Sequence, residues 1–498
     1  MAVAQGTCPS CGAPIEFGVG SSIAKVCEFC RATVVRSDRG LQNLGKVAEI
    51  ANTPSLIAVG DSGSLAGRPF EVLGRVQLDH GLGPWDEYYV SFDHGQAWGW
   101  LAYAQGHWYV TSAVPGLAIP PYGALRPEMD IPLGQYGYFR VAEVRSGSIR
   151  SAEGELPGAF PPGFTRYYAD CYGQNNGFAT LDYGDGSGAY SVFIGYVFGE
   201  PQLQVTQLGQ RSVQKVKAAQ IKCPQCGGEI PKLSGDRAER VGCPYCGAVS
   251  DIALQQVVAQ QEAMLKTPMI PIGSRGTIEG VEYICIAVVK RSSDFDGERF
   301  GWEEFLLWSQ GVGYRWLVKD ESSWMWVVPV NLAELDLTSM PAQVTWGGRT
   351  FTSRNSNEAR VDYVLGEVYW KCQVGEEVEI QDFVHGSDVL SREGVDGEVN
   401  WSYSSPIPWP MLAQAFGLPV DGPGAQFSPS AGSATPSSGG GATVLLLVIV
   451  VIVLLVCMLG ACGACLGDGS SGSSSGGSGT TTGGGYYRSG SGSYGGGK

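Results

Sequence analysis

Eight of the fourteen cysteines stand in four Cys-x-x-Cys pairs ahead of residue 250, and no other residues in this chain imply chemistry so directly by their spacing. Cys8 and Cys11 are followed by Cys27 and Cys30, and the arrangement returns as Cys223 and Cys226 followed by Cys243 and Cys246. One such pair forms a tight knuckle that offers two thiolates to a metal. A second knuckle about sixteen residues later completes a tetrahedral four-sulfur site. Each set is expected to hold one structural Zn2+, closed to substrate water because no coordination position stays open. The metal would supply on the order of 10 kcal/mol to ribbons this small. A thioredoxin-like redox pair, an iron–sulfur cluster and a ribbon without metal are the competing readings. Thiolates in this density suit a reducing compartment better than a disulfide framework does.

Other chemistry-bearing patterns are weaker. Gly60-Asp61-Ser62-Gly63 has the form of a serine-nucleophile turn, but the corresponding place in the second half of the chain reads Gly273-Ser274-Arg275-Gly276. The glycines persist and the serine does not, which is the signature of a turn. His80, His94, His107 and His385 have no base–nucleophile arrangement around them, and His107 falls opposite Ser323. From Glu367 to Glu398, counting Asp362, there are about ten carboxylates against Lys371 and Arg392, a pattern expected of a solvated, aggregation-resistant strand edge. Acid–base or cation chemistry there would require the side chains to converge. Cys457, Cys462 and Cys465 are read as small residues packed in a membrane helix rather than a lipid-attachment box. No catalytic or cofactor-binding residue is assigned, and an enzymatic role is left open, with the balance against it.

The elements that must carry the cysteines are duplicated. Gly60, Gly63 and Gly67 align with Gly273, Gly276 and Gly280, Trp85-Asp86-Glu87-Tyr88 aligns with Trp302-Glu303-Glu304-Phe305, Trp100-Leu101 with Trp316-Leu317, and Trp108 with Trp324. The chain reads as a tandem of ribbon plus β-module. Ribbon one spans 1–40 and a helical spacer 41–54, followed by a β-rich module over 55–208. Ribbon two with its leader spans 209–251, a second helical spacer 252–268, and the second β-rich module 269–420. The fold class is mainly β, with meander or barrel-like modules. The 73 glycines, 28 prolines and 13 tryptophans agree with many short strands and turns.

Beyond 420 the composition changes to a flexible linker over 421–442, an uncharged apolar run over 443–466, and a Gly/Ser/Tyr-rich tail over 467–498 expected to be disordered. The apolar run is long enough for one transmembrane helix. No signal-like segment begins the chain, so the bulk is expected on the cytoplasmic face of the inner membrane, as a single-pass protein. Lys and Arg are too sparse near the span for charge to set its orientation. The net charge of −15 and pI of about 4.8 argue against a phosphate-gripping surface, so nucleic-acid binding through the ribbons is disfavoured.

The leading ribbon, the Trp-plus-acid strand start, Gly366-Glu367-Val368-Tyr369-Trp370, Gly375-Glu376-Glu377-Val378, Asp382 and Leu390-Ser391-Arg392-Glu393 together resemble the bacterial domain-of-unknown-function family 4178. The first module keeps Gly154-Glu155-Leu156-Pro157 but lacks a clear copy of the later acidic parts. The resemblance implies a bacterial protein without assigned activity, in envelope or membrane-stress systems. The expected function is a membrane-anchored adaptor whose ribbons and β-modules bind partner proteins. The alternatives are a small-ligand or hydrolytic module using the acidic 367–398 region, with no ligand identified, and nucleic-acid binding by the ribbons.

Overall fold

The computed structural model describes residues 4–421, apart from 18–23, 38–39, 47–55, 80–83, 105, 209–219, 235–237, 253–254, 263–267, 296–297, 322 and 396. The linker, the apolar run 443–466 and the tail lie outside the described residues, and no described helix is long and apolar enough to cross a membrane.

Each β-rich module closes into an antiparallel barrel. In the first, β1 (Arg68–Asp79), β2 (Pro84–Phe92), β3 (Ala97–Ala104) and β4 (His107–Ala113) run as a meander. The long β5 (Tyr138–Leu156), β6 (Thr165–Gly173), β7 (Gly177–Asp182) and β8 (Ser191–Gly199) form a second meander. Pairing of β4 with β8 and of β5 with β1 closes the ring. The second barrel repeats this with β9 (Val281–Phe295), β10 (Glu298–Ser309), β11 (Gly313–Lys319), β12 (Trp324–Pro329), β13 (Arg349–Val368), β14 (Glu377–His385), β15 (Asp388–Val395) and β16 (Glu398–Pro406). Here β12 pairs with β16 and β13 with β9. Closure leaves the barrel no unpaired edges, and a ring of eight strands is just narrow enough for side chains to fill.

The two-residue side-chain period decides what fills it. In β10, Trp302, Glu304 and Leu306 point inward with Trp316 and Val318 of β11, whereas Phe305 and Leu307 point outward. The outer face is covered by a helix, α1 (Trp409–Phe416), which buries Leu412, Ala413 and Phe416 and stacks Trp409 on Trp324 at 5.4 Å. Gly417, at φ +64°, stops that helix in the left-handed conformation glycine tolerates best. On the first barrel the strand Leu203–Gln207 takes the same covering role, paired with Ser62–Leu65.

The ribbons are not beads on helical spacers. Gly40–Lys46 and Gln256–Gln260, expected to be helical, are strands, each pairing as the third strand of its ribbon sheet. The expected helices over 41–54 and 252–268 are therefore corrected over these stretches, while 47–55, 253–254 and 263–267 fall outside the described residues. A short helix is marginal in water, whereas pairing to an open ribbon edge satisfies the backbone at once. The β-branched pair Val257 and Val258 favours the same outcome.

The units also touch each other. Glu128 accepts from Arg392 at 2.9 and 3.1 Å and from Trp401 at 3.0 Å, and Arg145 reaches Glu398 at 3.1 Å. Arg140 donates to the carbonyls of Leu332 and Leu335 at 3.2 and 2.7 Å.

Candidate metal centres and the ribbon-capped barrels

Four knuckles share one backbone pattern. The amide of the first cysteine donates to a carbonyl past the turn: Cys8 to Ala13, Cys27 to Ala32, Cys223 to Gly228 and Cys243 to Ala248, at 2.7 to 2.9 Å. The residue after each pair donates back to the first cysteine and must take positive φ. Gly12, Gly227 and Gly247 do so at +77°, +74° and +74°, and Arg31 does so at +59°. That requirement explains the Cys-x-x-Cys-Gly form of three knuckles and leaves Arg31 strained in the fourth.

The folded turns bring the thiols together. Cys8 Sγ lies 3.6 Å from Cys30 Sγ and Cys11 Sγ 3.8 Å from Cys27 Sγ, while Cys223–Cys246 and Cys226–Cys243 are 3.7 and 3.8 Å apart. Within each set all four sulfurs fall within 4.8 Å of one another. A tetrahedral metal with metal–sulfur bonds of about 2.3 Å sets sulfurs roughly 3.8 Å apart, so the geometry fits one ion per cluster. The thiols also differ in acidity. The Cys30 thiol is pulled down to about 6, led by the Ala32 amide, and burial pushes Cys243 up to about 12.

Each ribbon is joined to the long strand of its barrel. Ala24 and Lys25 pair with Leu156 and Glu155 of β5, and Arg240, Val241 and Gly242 pair with Val368, Glu367 and Gly366 of β13. A Gly-Glu pair makes both joints. Gly154 (φ +74°) and Gly366 (φ +84°) let the long strand press against its own barrel neighbour, β1 or β9, so close that an added Cβ would meet the Leu73 or Ile286 carbonyl at 2.3 or 2.2 Å. The adjoining glutamate then grips the ribbon: Glu155 pairs with Lys25 at 3.7 Å, and buried Glu367 accepts from the Leu233 and Ser234 amides and the Ser234 hydroxyl. Both Gly-Glu pairs stand out in the sequence, but nothing in their spacing assigns them this role.

Beyond the joint the chain folds into the barrel mouth. Phe160 packs edge-on against Trp100 at 5.7 Å, and Trp370 against Trp316 at 5.4 Å. The two lumens thus carry matching aromatic plugs.

Behind the second plug, the acidic stretch departs from its expected solvation. Glu377 and Glu379 face outward, but Asp382 shares the inner face of β14 with Val378 and Ile380, and Glu367, Glu393 and Glu398 are also buried. Glu304 and Glu393 both meet Arg291, whose side chain is 0% exposed, and Trp302 Nε1 donates to Glu304 at 2.7 Å. Burial, opposed by Arg291, raises Glu304 to about 8, and burial raises Glu376 and Asp382 to about 7. The sequence did not single out Arg291, and it marked Glu304 only as part of an aligned strand start. The available signal was the Trp-x-Glu step shared by both copies.

The first barrel has the same polar interior built differently. Trp85 donates to Glu87 at 3.3 Å, and Thr180 donates to Asp170 at 2.8 Å as Ser391 does to Asp382. Here Arg166, on β6, pairs with Asp182 and acts on Glu87. The guanidinium has moved from one strand to another while its two acidic partners keep their places.

A family model for a domain of unknown function, DUF4178, matches residues 58–198 and 271–408, which are the two barrels and more than half of the chain. The chain belongs to the DUF4178 family. Both family domains are capped by four-cysteine ribbons outside the matched spans. No curated protein and no solved structure matches the chain. The serine-bearing turns of the two copies resolve as scaffold: in this DUF4178 protein Asp61 accepts from the Ala58 amide at 2.9 Å and Ser274 donates to the Pro271 carbonyl at 2.6 Å, both within turns.

Proposed function

We propose that this protein is an adaptor held at the inner face of the cytoplasmic membrane by residues 443–466, with two Zn2+-loaded ribbons presenting contact surfaces for partner proteins. The observation that carries the reading is a matched pair of exposed aromatics. Phe29 is 72% exposed and Tyr245 61% exposed, each at the same position in the second knuckle of its ribbon. The opposite side of each ribbon is taken up by its barrel. The aromatic plugs and buried side-chain clusters fill the barrels that carry the ribbons. Four thiolates per site and no other ligand suit zinc in a structural role. The Gly/Pro/Ser-rich stretch over 421–442 would keep the ribbon-capped barrels at high effective concentration near the membrane.

The test is affinity capture from mild-detergent membrane extracts, comparing the full chain with a Phe29→Ser/Tyr245→Ser variant at equal metal content. A defined partner set that the variant loses supports the adaptor. An identical set from both proteins, or none from either, removes it.

A second reading is favoured by one specific observation: two carboxylates of the 367–398 region, Asp382 and Glu393, are buried on the inner face of the barrel instead of lining an edge. Small-ligand binding or hydrolysis in the second lumen then predicts that Asp382→Asn abolishes a ligand-induced thermal shift. A metabolite screen without any shift would leave the polar interior as a purely structural network.

A further inference from the structure

We propose that the second ribbon is a metal-dependent latch: when its four-cysteine site is loaded it holds the plug from Tyr369 to Val374 in the barrel mouth, and loss of the metal releases the plug while the barrel stays folded. The plug has two kinds of anchor. On the barrel side it relies on aromatic contacts, Trp370 on Trp316 and Tyr369 stacked on Tyr314 at 3.9 Å. The ribbon adds polar anchors, beside the Gln373 amide that donates to Glu376 at 3.3 Å. Arg240 Nη1 donates to the Cys372 carbonyl at 2.7 Å, and the Glu239 amide donates to the Val368 carbonyl at 2.8 Å. Lys371 Nζ lies 2.8 Å from Glu239 and 3.6 Å from Asp251.

These ribbon groups sit on the strands that carry the metal knuckle. Arg240 and Asp251 flank Cys243 and Cys246 on paired strands. A ribbon of this size depends on its metal for its fold, so chelation removes the strand pairing at Gly366–Val368 together with the Arg240 and Lys371 contacts. Lys371 is 2% exposed, and once its ribbon carboxylates are gone it is driven to open towards water. Barrel closure does not pass through the ribbon, since β13 is paired to β9 and β14 independently. Release would open the lumen that holds Arg291, Glu304 and Glu376.

Cys372 is a built-in reporter, 0% exposed in the plug, with a thiol that burial holds well above its ordinary value. Cys285, also 0% exposed, lies in the outer cluster beneath α1 and serves as the reference. The experiment alkylates the full chain in detergent with iodoacetamide before and after a strong chelator, reading each cysteine by peptide mass spectrometry. Loss of two charge-assisted contacts should raise the Cys372 rate at least about tenfold, with Cys285 unchanged. Reactivity of Cys223, Cys226, Cys243 and Cys246 reports metal loss separately. Lys371→Met should raise the Cys372 rate while those four stay protected by metal. Protection of Cys372 after the ligand cysteines have become reactive overturns the latch, as does a parallel rise at Cys285. An unchanged Cys372 rate in the metal-loaded Lys371→Met protein overturns it too.

Discussion

Replacing Arg291 with methionine keeps most of the side-chain volume and removes the guanidinium that faces Glu304 and Glu393. All three groups are buried, Glu304 and Arg291 completely at the side chain. Breaking a buried pair by deleting one partner costs about 3–5 kcal/mol, because the remaining charge has no water to turn to. In a barrel of this size that corresponds to a fall of roughly 10 °C in the second barrel's melting temperature. The cost must depend on pH. Glu304 has its folded value raised to about 8 against an ordinary 4.5, so its proton stabilises the fold at low pH and that contribution is lost as pH rises through about 8. Without Arg291 the carboxyl is pushed higher still, and the variant should be much further below wild type at pH 8.5 than at pH 6. Urea titrations read by tryptophan fluorescence at both pH values measure this, and Arg291→Met/Glu304→Gln should recover part of the loss. A penalty under 1 kcal/mol at pH 8.5, or one equal at the two pH values, would refute the account of a charge-balanced lumen.

Asp382→Asn keeps an acceptor for the Ser391 hydroxyl and removes a carboxyl raised by burial to about 7, so the variant should gain on the order of 1 kcal/mol at pH 8 and nothing at pH 4 by the same titrations. Arg31→Gly relieves a positive φ of +59° and should stabilise the first ribbon by about 1 kcal/mol, seen as slower metal loss to a competing chelator. Purified full-length protein should carry two zinc ions per chain by elemental analysis, and Cys226→Ser should lower this to one. Trp370→Ala empties the plug and should cost about 3–5 kcal/mol in the second barrel, measured as a drop in its unfolding midpoint.

The cysteine spacing, the duplication and the β class could be read directly from the chain. A Cys-x-x-Cys-Gly knuckle is a local object whose turn and ligand pair are defined within five residues, so spacing alone implied both clusters. Recurring Trp-x-Glu and Gly-Glu pairs marked the repeat for the same reason. The misreadings came where a residue's meaning depends on what lies across from it. Val257 and Val258 sat in a stretch with helical spacing, yet an open ribbon edge made a strand the better solution. The carboxylates near Asp382 looked like a solvated edge because only their density was weighed. Their parity with Val378 and Ile380 put Asp382 inside, and that became visible only once closure defined an inside.

The sequence by itself therefore determined the local chemistry: four thiolates per ribbon, the glycines that shape the knuckles, and two copies of one strand pattern. Tertiary structure alone decided that each copy closes on itself, that the ribbon caps the mouth through Gly154-Glu155 or Gly366-Glu367, and that buried acids meet Arg166 in one barrel and Arg291 in the other. The physical reason is that burial and charge balance belong to a closed volume, not to a segment. A guanidinium can enter that volume from any strand that lines it, so its partners cannot be read from its position along the chain.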